Sequence, residues 1–85
     1  MFDRRTGDRT RARHKVQLLV ADASMLDAEL ADHSVDGARL MLASPVKIGT
    51  TVQLMVARDS FEGVVRYCVY EAERGRYMIG LRLGT

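Results

Sequence analysis

At 85 residues the chain makes one small domain, which buries somewhat more than ~60% of its unfolded surface and folds alone with a thin margin. Hydrophobic residues make up 47%, which suits a globular body, and one cysteine with two histidines leaves neither an internal disulfide nor a zinc ligand cluster. Net charge is only +2, but residues 1–15 hold six basic side chains against two acidic ones, a balance of +4, while the remainder holds seven against nine, a balance of −2.

The first segment, "MFDRRTGDRTRARHK", is therefore a basic arm on a mildly acidic body. It is charged where a secretory signal would be apolar, and no run in the chain approaches membrane-spanning length, so a cytoplasmic domain with no membrane partner is expected. Arginine in such an arm suits an anionic partner, phosphate above all; a solvated terminus is the plain alternative. The expected division is an arm over 1–13 and a folded body over 14–85.

From Val16 the period becomes two. "VQLLVA" sets Val16, Leu18 and Val20 on one face. "SMLDAELA" is ambiguous: Ser24 and Asp27 stand at capping-box-like spacing before good helix formers, yet Leu26, Ala28 and Leu30 alternate with Asp27, Glu29 and Ala31. Period and the strands on either side favour strand. "ARLMLA" groups Ala38, Leu40 and Leu42, with Arg39 opposite, and "TVQLMVA" groups Val52, Leu54 and Val56. "SFEGVVRYCVYEA" sets Phe61, Gly63, Val65, Tyr67 and Val69 against Glu62, Val64, Arg66, Cys68 and Tyr70, and "RYMIGLRL" groups Tyr77, Ile79 and Leu81. Half-buried strands give this alternation. Turns are expected at "SPVKIGT", "ARDS" and "ERGR". Short strands at regular spacing imply an all-β antiparallel barrel or sandwich, and the need to hide sheet edges favours the barrel.

One stretch breaks the strand pattern with chemistry. "DHSVDG", Asp32 to Gly37, places an acid and a hydroxyl two apart, on the same side of an extended chain. Gly37 then sits either at positive φ or where something approaches the backbone closely. An acceptor-only carboxylate beside a hydroxyl suits a guanine edge with its N1–H and N2–H₂ donors. The upstream arginines supply phosphate contacts and flat guanidinium faces that stack on bases. The two halves fit one ligand that contains both guanine and phosphate; a local turn motif is the plain reading of Asp32 and Ser34.

The arginine spacing in "RTRAR", Arg9 to Arg13, followed by "DHSVDG" and then by "EGVVRY" and "YMIGLRL", resembles the PilZ domain family, bacterial receptor modules for cyclic di-GMP. The resemblance runs from about residue 4 to 83 and includes Gly63, Arg66 and Gly80. It implies a six-stranded antiparallel β-barrel with cyclic di-GMP as the ligand, bound on the outer surface, and no cofactor is expected beside that ligand. By the family's roles Arg9 and Arg13 clamp phosphates and stack on guanines, Asp32 and Ser34 hold a guanine edge, and Gly37 lets the ligand lie close. Arg5 with Arg9 offers a competing register; Arg13 is preferred because it precedes Val16 by three residues, which leaves Arg4 and Arg5 as auxiliary contacts. Many members carry a further C-terminal helix, whereas this chain stops three residues after Arg82, so one barrel end is expected to be less covered. The implied mechanism is ordering of the arm on ligand binding and presentation of a changed face to a downstream protein partner.

Other residues have plainer readings. Arg66 either reaches the ligand or lies on an exposed face; His33 is expected to face solvent; His14 adds charge to the arm; Cys68 is a small packing residue. No nucleophile–base pair or paired carboxylates stand out, which disfavours an enzyme. Two alternatives stay open: a PilZ-like protein-interaction module without nucleotide binding, and a small barrel binding nucleic acid, which aromatic content of only 6% without tryptophan disfavours.

Overall fold

The computed structural model describes residues 10–84, with side chains described from Lys15 onward. The alternating runs become six strands: β1 (Thr10–Val20), β2 (Met25–Ser34), β3 (Gly37–Leu42), β4 (Thr51–Val56), β5 (Asp59–Glu71) and β6 (Arg76–Leu83). All pair antiparallel and close in the order β1-β2-β3-β6-β5-β4, with β4 returning to β1 through the pairs Gln17↔Met55 to Val20↔Val52. Closure leaves no unpaired edge, as the small strands require. Among the described residues no helix is long and apolar enough to cross a membrane.

The barrel interior is the apolar face of each run. Leu18, Leu40, Leu42, Val52, Val65 and Ile79 are fully buried there, each contributing about 1.5–3 kcal/mol by removal from water. Val46, carried on the long β3–β4 connection, is buried with them. The ambiguous segment 24–31 is strand: β2 pairs with β1 on one side and β3 on the other, and Leu26, Ala28 and Leu30 all pack into the core. At 100° per residue a helix would keep Leu26 and Leu30 together but turn Ala28 to the opposite side, whereas all three are inward here, so burial overrides local helix propensity. Ser24 sits in the β1–β2 turn, where its amide donates to Asp22 Oδ1 at 2.9 Å.

Alternation fails in β5. The period of two sets Phe61, Tyr67 and Val69 on one face with Gly63 and Val65, but unlike those two all three are exposed. The cause for Tyr67 and Val69 is an irregularity between Val65↔Leu81 and Tyr67↔Gly80, in which Arg66 is the extra residue. Beyond it the phase inverts. Cys68 turns inward and packs against the core, as its expected packing role requires, while Tyr67 and Val69 turn outward. Phe61 keeps its inward phase but lies near the barrel mouth, where it lines a cavity with Leu30, Leu54, Val56 and Leu83.

Two further irregularities lie at the same level of the barrel. Between Leu30↔Leu40 and Asp32↔Arg39 the extra residue of β2 is Ala31. Between Arg11↔Asp32 and His14↔Leu30 β1 also holds one residue more than its partner. Bulges re-aim the side chains that follow them and concentrate beside functional sites. Here the β2 bulge decides where Asp32 points: unbroken alternation from Leu26, Ala28 and Leu30 would drive its carboxylate into the core.

Candidate functional site

After the Ala31 bulge, β2 runs into a two-residue turn, Val35–Asp36, and returns as β3 with Ser34↔Gly37, His33↔Ala38 and Asp32↔Arg39 as partners. Asp32 and Ser34 therefore share the outer face, as their spacing predicts. Two cross-strand rows extend from them. One runs Asp32, Arg39, Gly80, Tyr67 across β2, β3, β6 and β5; the other runs Ser34, Gly37, Arg82, Val64. On the other side of β2, Arg11 of the arginine run lies opposite Asp32 and Thr10 lies opposite His33.

Asp32 is the one charged residue buried among those described, at 6% exposure. A buried carboxylate must be paired and hydrogen-bonded. Arg39 does this: its Nε donates to Oδ1 at 3.1 Å and to Oδ2 at 2.9 Å, and Nη2 donates to Oδ2. The same hydrogen bonds hold the Arg39 guanidinium above its ordinary pKa against the opposing effect of burial, with the charge of Asp32 and the phenol of Tyr67 adding to them. The Arg39 side chain is still 42% exposed, so the pair faces solvent through the arginine. The Ser34 hydroxyl donates to Asp36 Oδ1 at 3.2 Å, which pins the turn.

Gly37 has no positive φ. Of the two reasons for a glycine there, close approach holds: a Cβ at Gly37 would stand 2.9 Å from the Leu81 carbonyl oxygen. Gly80 is emptied by a side chain instead. A Cβ on it would lie 2.1 and 2.4 Å from ring carbons of Tyr67, so that ring occupies the space a side chain would fill. Tyr67, Arg39, Arg66 and Arg82 line a shallow concavity of about 570 Å³ that also takes in Asp36 and Gly37.

Of the residues expected at the site, the fold brings Asp32, Ser34 and Gly37 onto one hairpin; Arg66, exposed in its bulge, shares the concavity with Gly37, while Ser34 lines the cavity at the barrel mouth. Arg4, Arg5 and Arg9 lie outside the described residues; Arg13 is in β1, inside its irregular stretch, and its side chain is outside the description, as is that of His14. His33 is a correction: it is half-buried at the barrel mouth beside Leu30 and Phe61, because its register partner is the core residue Ala38. Arg39, Tyr67 and Arg82 are additions. Arg39 could have been found as the off-face residue two positions beyond Gly37; Tyr67 could not, since its outward turn depends on the Arg66 bulge.

The fold and this strip define a closed six-stranded antiparallel barrel with a cation-rich outer face built around the β2–β3 hairpin. A family model described as the PilZ domain matches residues 3–85, and the chain belongs to the PilZ domain family. That family consists of binding and effector modules and is known for binding cyclic di-GMP. The curated proteins hold no significant match to the chain.

Proposed function

We propose that this domain is a cyclic di-GMP receptor that acts by binding, without catalysis or a cofactor. The observation that carries the reading is the β1–β2 register, in which Arg11 of "RTRAR" lies opposite Asp32 of "DHSVDG". It pairs a residue of the arginine run with Asp32, about twenty residues further along the chain, which supports a joint role for the two motifs. Asp32 and Ser34 take the N–H donors of a guanine edge, Gly37 forms part of the floor, and Arg9 and Arg13 clamp the phosphates. Arg4 and Arg5 add phosphate contacts, and Arg66 extends the cationic surface from the far side. Residues 10–13 belong to β1, so the ordering that the ligand brings falls on the arm residues before them, which have little apolar surface to bury. The closed arm with its ligand then offers a new face to a downstream protein.

Charge-assisted hydrogen bonds contribute about 1.5–3 kcal/mol each, or roughly one to two decades of affinity. Isothermal titration with cyclic di-GMP, with GTP as control, is the test. Binding of cyclic di-GMP alone, weakened about ten- to a hundredfold in Arg13→Ala, is the expected result. Unchanged binding by Arg13→Ala shifts the clamp to Arg5 and Arg9; absence of binding by the wild-type chain overturns the reading.

A further inference from the structure

The "DHSVDG" motif supplies a carboxylate, but a carboxylate on a strand has rotameric freedom and two equivalent oxygens. Its use as a recognition edge depends on what fixes its plane. In this barrel one fixing group comes from the neighbouring strand β3. Arg39 approaches Asp32 side-on, with Nε reaching both oxygens at 2.9 and 3.1 Å and Nη2 adding a bond to Oδ2. Such a planar fork sets orientation as well as charge, and lysine, a point charge on a flexible stem, cannot reproduce it.

Arg39 is itself held in place. It pairs across to Gly80, and Gly80 to Tyr67, whose ring covers the empty glycine position. The Tyr67 phenol adds to the environment that keeps the guanidinium charged. The row Asp32, Arg39, Gly80, Tyr67 thus reads as a single support, carboxylate at one end and aromatic backstop at the other.

Resting on the ligand reading above, we infer that Arg39 is a positioning residue: it acts on ligand affinity through Asp32, by holding that carboxylate in the orientation that receives the ligand's N–H donors. Arg39 lies outside both sequence motifs and is supplied by the fold.

The test is a double-mutant cycle with cyclic di-GMP, read by titration on wild type, Arg39→Gln, Asp32→Asn and the double variant, each checked for a cooperative melt. Expected are losses of about tenfold for Arg39→Gln and about ten- to a hundredfold for Asp32→Asn. The double variant should bind no more weakly than Asp32→Asn, since a residue acting only through its partner has nothing left to act on. Arg39→Lys keeps the charge, loses the fork, and should stay weakened. Without ligand, the Arg39 Nε–H proton should be protected from exchange in the wild type and lose that protection in Asp32→Asn, a readout that stands even where Arg39→Gln does not fold. Wild-type affinity in Arg39→Gln, fully additive losses, or an unprotected Nε–H in the wild type would each overturn the inference while leaving the receptor reading intact. No binding by the wild type would overturn both.

Discussion

Gly80 and Tyr67 exchange roles in a way that fixes the sign of a mutation. A glycine inside a strand costs about 0.5–1 kcal/mol relative to alanine in lost chain entropy alone, so Gly80→Ala would ordinarily stabilise the barrel. Here the new methyl would lie 2.1 Å from a Tyr67 ring carbon. The ring is partly exposed and can swing outward, so the chain still folds, but Tyr67 loses its seat and the barrel loses the cross-strand contact. Gly80→Ala is therefore expected to lower stability by about 1 kcal/mol, within the range of small overpacking costs. In a Tyr67→Ala background the same change should raise it by about 0.5–1 kcal/mol. Urea titrations of the four proteins check this; the same sign in both backgrounds would show that the ring does not fill the glycine site.

At the scale of elements, the hairpin turns and the bulges carry the individuality of this barrel. The β4–β5 hairpin closes through Ala57 and Arg58, between the paired Val56 and Asp59, and Ala57 is held at φ 54°. A positive φ at the first turn residue alone is the pattern of a type II′ turn, where glycine belongs. An alanine in the left-handed region costs about 1–2 kcal/mol, part of which glycine's entropy offsets. Ala57→Gly is expected to stabilise by roughly 0.5–1 kcal/mol and raise Tm by a few degrees; a scanning calorimetry trace with an unchanged or lower Tm would contradict it. The β1–β2 turn gives a pH dependence. The Ser24 hydroxyl and amide donate to Asp22 and hold its carboxyl below the usual value of 3.8. Because the folded-state pKa is the lower one, this contribution is fully present above about pH 4 and is lost as pH falls through the folded value. Asp22→Asn should remove that part of the acid loss, read as a smaller Tm difference between pH 6 and pH 3. These elements also explain what was legible in the sequence. Strand faces could be read wherever the period stayed two, as at Val16, Leu18, Leu40, Val52 and Ile79. They could not be read past Val65, because a bulge adds one residue without a compositional mark, and the outward turn of Asp32 depends on a second such residue, Ala31. The motif named Asp32, Ser34 and Gly37; its support in Arg39 and Tyr67 exists only once the strands are paired.

For the whole molecule, the uneven charge and the small core point to one linked property. Residues 1–15 carry a balance of +4 and the remainder −2, and the β1–β2 register sets Arg11 of the basic run opposite Asp32. On the receptor reading proposed above, a dianionic ligand would bind only the folded chain, since the proposed site needs β1, β2 and β3 in register. Ligand then stabilises by mass action: at a free concentration one hundred times Kd the gain is about 2.7 kcal/mol, and a domain of this size converts that into a Tm rise of roughly 10–20 °C. In Arg13→Ala, with Kd raised ten- to a hundredfold, the same concentration should give a gain of only about 0.4–1.4 kcal/mol. GTP, which has guanine and phosphate but not their cyclic arrangement, should leave Tm unmoved. A thermal-shift series across ligand concentration reads all three. An equal rise with GTP would reduce the effect to general anion binding by the arginines. A rise that survives intact in Arg13→Ala would move the phosphate contact elsewhere in the arm.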